Sequence, residues 1–208
     1  MVGARCNVPL RFGGPFGRGH RGGIVMGFDP DKHHRRSIRL AGYDYSQMGA
    51  YFITLGVHNQ DCLLGEIADG IMRLNPIGEI VRSEWITTGQ IRPRIRIDAF
   101  VIMPNHFHGI LVIDCIGRGT LQRAPTVEQF GHPTSDSIPT IVRLYKSATT
   151  KRINLLRETP GKAFWQRNYY EQIIRDEAQF GHIREYIETN PARWAEDSEN
   201  QNGENKRQ

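Results

Sequence analysis

Apolar positions along this chain follow two periods, and the switches between them mark out its elements. The stretch 50–57, Ala-Tyr-Phe-Ile-Thr-Leu-Gly-Val, is rich in β-forming residues and predicts a first core strand. Residues 62–74 predict a small hairpin whose tight turn is Asp69-Gly70. The period then lengthens. Asn75-Pro76 starts a helix, and Ile77, Ile80, Val81 and Trp85 form its packing stripe before Gly89 ends it. Residues 95–103 predict a second core strand, Pro104-Asn105 a tight link, and 106–113 its antiparallel partner. The segment 115–136 has glycines and prolines without periodicity, so it predicts a long irregular connection. Ser137 can cap a helix reaching about Arg157, with Ile138, Ile141, Val142, Tyr145, Ile153 and Leu156 on its inner side. Residues 165–175 suit a last core strand, and 176–189 a final helix packed through Phe180, Ile183 and Ile187 and stopped by Pro191. The order is strand, helix, strand, strand, helix, strand, helix. Its first six elements describe an α+β fold, a ferredoxin-like βαββαβ sandwich with an antiparallel sheet, to which a C-terminal helix is added.

Length and charge narrow the picture. With 208 residues the chain has room for one domain with a proper core. That domain spans 35–194, between a basic N-terminal tail (1–34) expected to be disordered and a polar C-terminal tail (195–208). Met26 is an alternative start, so the Gly- and Arg-rich residues before it are assigned no function. The formal net charge of +5 falls in clusters, which favours a polyanionic partner over a neutral metabolite. Cys6, Cys62 and Cys115 form neither a CxxC pair nor an even set, so neither a zinc ribbon nor a disulfide framework is indicated and a reducing cytoplasm fits best. No apolar run approaches the ~20 residues that span a bilayer.

The candidate chemistry starts at His106 and His108. Alternation along a strand turns both toward one face, with Ile110 and Val112, while Phe107 and Leu111 turn away. Two imidazoles on one face can hold a divalent metal, but alone they fit buried, hydrogen-bonded histidines better. On the final helix His182, Tyr186 and Asn190 recur at intervals of four and so share a face. A strand with two imidazoles and a helix with a tyrosine and an amide supply the parts for metal-assisted phosphodiester cleavage.

These segments resemble a known family. His106-Phe107-His108 resembles the HUH motif of single-tyrosine transposases, and Tyr186-Ile187-Glu188-Thr189-Asn190-Pro191 the tyrosine motif of the REP-associated tyrosine transposases. The likeness extends through Arg36-Ser37-Ile38-Arg39-Leu40, Gly42-Tyr43-Asp44-Tyr45, Met103-Pro104-Asn105-His106 and Trp165-Gln166-Arg167-Asn168-Tyr169-Tyr170-Glu171, and covers roughly 35–194.

The resemblance implies cleavage and rejoining of single-stranded or hairpin DNA, with REP-type palindromes as targets. It implies Tyr186 as the nucleophile that forms a 5′-phosphotyrosine link, and His106, His108 and Asn190 as ligands of Mg²⁺ or Mn²⁺. The family often has histidine where Gln172 stands, so Gln172 is assigned no role; His182 reads as a surface histidine. Candidate phosphate contacts are Arg35, Arg36, Arg39, Arg94, Arg96, Arg143, Lys146, Lys151 and Arg152, with Arg92 in the same cluster as Arg94 and Arg96. Tyr169 and Tyr170 are candidates for stacking on unpaired bases, with at least one of them expected to face the core. A cytoplasmic, nucleoid-associated monomer or homodimer without a membrane partner is expected. The alternative from another class is a hairpin-DNA-binding protein that retains the fold without cleaving. A histidine-triad hydrolase needs a further alternating histidine, and Ile110 stands at that position.

Overall fold

A computed structural model describes residues 43–114 and 134–196 of the chain. Strands β1 (Gly49–Gly56), β4 (Ile95–Ile102), β5 (His106–Ile113) and β6 (Tyr170–Ile174) form one antiparallel sheet in the order β4-β5-β1-β6; β2 (Gly65–Ala68) and β3 (Ile71–Leu74) pair as a separate hairpin. Helices α1 (Pro76–Gln90) and α2 (Ile138–Leu156) cover one face of the sheet, and α3 (Glu177–Thr189) covers the other. This is the expected α+β arrangement: with the hairpin set aside, βαββαβ wraps two helices onto one face and leaves the second face for the added helix.

The helix starts follow from their capping residues. Asn75 Oδ1 accepts from the backbone N–H groups of Ile77 and Gly78, at 2.9 and 3.0 Å, and Pro76 needs no partner at the first helical position. Helix α1 runs one residue past Gly89, to Gln90. The hairpin starts at Gly65 rather than Cys62 and turns at Asp69-Gly70, whose φ angles of 54° and 72° suit a tight two-residue turn. The last strand is shorter than the sequence suggests. Tyr170–Ile174 forms the ladder with β1, while Trp165 makes only an isolated bridge to Val57.

The sheet separates two cores. On the α1/α2 face, Tyr51, Ile53, Leu55, Phe107, Leu111 and Ile113 pack with Val81, Trp85, Ile141, Tyr145 and Ile153. Trp85 lies edge-on to Phe107 and Tyr145, with ring centroids 4.6 and 5.1 Å apart. It fits because Gly109 has no side chain; a Cβ there would lie 2.8 Å from the indole and 2.7 Å from Phe107. Leu156, expected inward, is 52% exposed at the last position of α2, whereas Ile153, three residues earlier, is fully buried in the core. On the opposite face Ala50, Phe52, Ile110, Val112 and Ile174 form a smaller core with Phe180, Ile183 and Ile187 of α3. The alternation expected for 106–113 thus sends Phe107 and Leu111 one way, and His106, His108, Ile110 and Val112 the other. Among the described residues no helix is long and apolar enough to cross a membrane.

Candidate active site

Every residue of β5 is buried, and the strand runs between β4 and β1, so its two histidines occupy the middle of the sheet. The link before it is tight: Met103 N–H donates to His106 O at 2.8 Å, and the turn between them is Pro104-Asn105. Asn105 Oδ1 lies 2.8 Å from His106 Nδ1. A carbonyl oxygen can only accept, so Nδ1 carries the proton and Nε2 is the nitrogen able to coordinate. His108 Nδ1 is 2.8 Å from Thr54 Oγ1, the residue directly opposite it on β1. With Thr54 as acceptor, His108 Nε2 also holds a lone pair. The two rings meet edge to face, 4.6 Å between centroids.

Helix α3 is positioned over these rings by its ends as well as by its apolar stripe. Asp176 caps it by accepting from Gln179 N at 2.7 Å. Arg184 Nε pairs with Asp98 Oδ1 at 2.9 Å, tying the helix to β4. Tyr186 then reaches the sheet. Its Oη lies 3.2 Å from His108 Nε2, and its ring packs against His108 and Phe52, at 5.2 and 6.2 Å between centroids. Tyr186 follows Ile183 by three residues and precedes Ile187 by one, so it sits at the rim of the buried stripe with its hydroxyl at the histidine pair.

Asn190 caps the C-terminus of α3 and is 3% exposed. Its Oδ1 is buried with no hydrogen-bond partner among the described residues. Four residues before it Tyr186 touches His108; four residues after it Trp194, in the 3-10 turn Pro191–Glu196, lies 5.9 Å from the His106 ring. An oxygen acceptor buried without a donor is costly unless something else satisfies it. Two imidazole nitrogens and this amide oxygen suit a divalent cation that leaves positions open for phosphate oxygens. No group of three or more His, Cys, Asp or Glu able to hold a metal exists among the described residues, so an amide has to complete such a set.

Burial dictates the protonation of the pair. Loss of hydration pushes His106 down to about 3, and the same cause, with a smaller push from neighbouring His106, carries His108 well below the ordinary imidazole range. Both rings are therefore neutral at pH 7, the form a metal requires. Below about 6.5 the unfolded chain binds protons that the folded rings refuse, so folded stability is complete above 6.5 and lost as pH falls toward 3. The loss is at most ~1.4 kcal/mol per pH unit for each histidine. Urea midpoints of the metal-free protein should fall between pH 6.5 and 5. An equal fall in a His106→Asn, His108→Asn double variant would assign it to other groups.

The remaining candidates are spread out. Lys146 Nζ donates to the carbonyls of Gln166 and Arg167 at 2.6 and 3.1 Å, and Arg152 pairs with Glu84 at 2.6 Å. Arg96 pairs with Asp98 at 2.9 Å and lies 3.5 Å from Asp114, and Arg92 donates to Thr88 O at 3.1 Å. These cations are engaged within the protein. Arg143 and Lys151 are exposed on α2, Arg94 is half-buried before β4, and His182 is exposed on α3. Tyr169 packs against the larger core and donates to Glu171 at 2.6 Å. Tyr170 is 41% exposed on the histidine face, opposite Thr54. Arg35, Arg36 and Arg39 lie outside the described residues, as do the N-terminal tail, residues 197–208 of the C-terminal tail and most of the long connection. Sequence reasoning passed over Thr54, Asn105 and Trp194. Thr54 shares the alternation of Phe52 on β1, but only the pairing of β1 with β5 connects it to the His108 ring; Asn105 adjoins His106, and its side chain is turned back onto that ring by the tight link.

No family model matches the chain. A Haemophilus influenzae protein, described as uncharacterized, is 45% identical over 170 residues, covering 79% of this chain and 92% of the relative. Among solved structures, a REP-associated tyrosine transposase bound to a REP hairpin superposes with a TM-score of 0.49 at 21% identity, covering 77% of this chain and 73% of that one. A Deinococcus radiodurans protein provisionally described as a transposase gives 0.36 at 20% identity, covering 72% and 95%.

Proposed function

We propose, for a chain that belongs to one family with the uncharacterized Haemophilus influenzae protein, that it cleaves and rejoins single-stranded or hairpin DNA through Tyr186. The observation that carries this reading is the Tyr186 hydroxyl 3.2 Å from His108 Nε2, in a buried pair of neutral imidazoles. The sequence motifs around both histidines and the tyrosine, and the basic charge of the chain, support the same reading.

In this reading Tyr186 Oη attacks a backbone phosphorus and loses its proton. An Oη–P bond forms, the P–O3′ bond breaks, and the leaving oxygen takes a proton to become a 3′-hydroxyl. The 5′ end stays on the protein. A 3′-hydroxyl attacking the phosphotyrosine reverses the step and restores the tyrosine, so joining needs no further energy source. His106, His108 and Asn190 would hold Mg²⁺ or Mn²⁺, which when bound supplies Lewis-acid polarisation of the phosphate. Asn105 fixes the tautomer of His106, and Thr54 orients the ring of His108. Phe52 and His108 hold the tyrosine ring in place.

The test is to incubate the protein with single-stranded REP-type hairpins and Mn²⁺. A denaturant-resistant protein–DNA adduct whose nucleotide maps to the tryptic peptide of Tyr186 is expected. Tight hairpin binding with no adduct across a range of palindromes would favour a binding protein instead. The hydroxyl meets a histidine of its own chain, which carries a second expectation. Mixing Tyr186→Phe with His108→Ala protein should yield no more adduct than either alone, whereas recovered activity would mean that the tyrosine acts from another subunit.

A further inference from the structure

Phe52, Thr54 and Gly56 occupy one row of β1 on the histidine face, with Thr54 opposite His108 and Gly56 opposite His106. On the other side of Gly56 the ladder with β6 has ended, since its last pair is Thr54 with Tyr170. The chain leading into β6 takes over. Gln166 N–H donates to Gly56 O at 2.9 Å, and Trp165 bridges Val57. Trp165 turns into the larger core, so the next residue, Gln166, turns to the opposite side, where the histidines are.

The space above Gly56 is filled by this glutamine. A Cβ on Gly56 would lie 2.8 Å from Gln166 Cδ, 2.9 Å from Oε1 and 3.0 Å from Nε2. The carboxamide therefore lies across the glycine, and the His106 strand begins one strand spacing beyond it, ~4.8 Å. Lys146 secures the segment by donating to the carbonyls of Gln166 and Arg167. The backbone of Gln166 is bonded through both N–H and C=O, while its side chain makes no hydrogen bond among the described residues.

We infer that Gln166 is a further substrate-contacting residue of this site, donating from Nε2 to a non-bridging oxygen of the phosphate that Tyr186 attacks. Gly56 is the glycine that lets the carboxamide lie there. This rests on the phosphotyrosine reading. Phosphate oxygens only accept, so the amide NH₂ is the group that serves them, and a neutral donor brings no charge to compete for a cation. A donor that meets oxygens gaining charge in the transition state acts on rate more than on affinity.

The test uses the full chain, a hairpin that wild-type protein cleaves, and saturating Mn²⁺. Gln166→Ala should slow adduct formation about 100-fold. Hairpin affinity, measured by anisotropy without divalent metal, should stay within roughly threefold, and the Mn²⁺ midpoint should hold. Gln166→Glu, which cannot donate, should be equally slow. Gly56→Ala adds a methyl against the flexible end of Gln166, so the fold should tolerate it while the carboxamide moves aside. Its defect should match that of Gln166→Ala, and the double variant should be no slower than Gln166→Ala alone. A wild-type rate in Gln166→Ala overturns the inference. So does a loss confined to affinity, or a shifted Mn²⁺ midpoint with full rate restored at high metal, which would make Gln166 a ligand. Wild-type protein that forms no adduct on any hairpin overturns the phosphotyrosine reading itself.

Discussion

Tyr186→Phe should eliminate the protein–DNA adduct and lower strand cleavage by at least ~10³-fold, while leaving the fold and hairpin affinity nearly unchanged. The substitution removes one oxygen. The ring keeps its contacts with Phe52 and His108, and the lost hydrogen bond to His108 Nε2 costs on the order of 1 kcal/mol. A thermal midpoint within a few degrees of wild type would show that the variant is folded, and single-turnover assays on a labelled hairpin would then report chemistry alone. Persistence of the adduct would sink the assignment. Tyr170 is the residue to examine in that case, because it is exposed on the same face of the sheet.

The second large effect is expected at the histidines. His106→Ala and His108→Ala should each reduce cleavage at least ~10²-fold, more than the 10- to 100-fold that removal of an outer partner of a metal ligand typically costs. EDTA should abolish wild-type activity and added Mn²⁺ should restore it. Thr54→Val gives a graded comparison: it removes the hydroxyl beside His108 Nδ1 while keeping the volume, so about a tenfold rise in the Mn²⁺ needed is expected. Activity that survives both chelation and loss of either imidazole would exclude a metal-held phosphate. Circular dichroism must accompany these variants, because both rings are fully buried and their removal leaves cavities.

Several features of this arrangement are legible in the residues alone. Alternation over 106–113 puts both imidazoles on one face, and a stripe at helical spacing puts Phe180, Ile183 and Ile187 inward, so both halves of the site can be named before any tertiary contact is known. Asn75 and Ser137 are placed as caps by their short polar side chains ahead of proline-bearing helix starts. Long-range partners are what the pattern lacks. Lys146 and Arg152 fall on the outer side of α2 by periodicity, yet the segment at 166–167 and helix α1 pass close enough to engage both. Residues 165–175 have the composition of one strand, but only Tyr170–Ile174 forms the ladder with β1, because Arg167–Tyr169 departs from it after the contacts of Trp165 and Gln166. The hydrogen bond that orients His108 comes from Thr54, 54 residues away, and only the register of β1 against β5 reveals it.

The sheet is a wall shared by two cores of unequal size, and the tyrosine belongs to the lesser one. Among the described residues, helix α3 is held by a short apolar stripe, the Arg184–Asp98 ion pair and the Tyr186 contacts with His108 and Phe52, whereas the opposite face is locked by Trp85, Tyr145 and the aliphatic side chains around them. Local opening of such a unit costs less than global unfolding. In the phosphotyrosine reading the nucleophile is thus carried on the element whose opening costs least while the imidazoles stay seated in the sheet, which would give a bulky folded strand a way in and out without melting the domain.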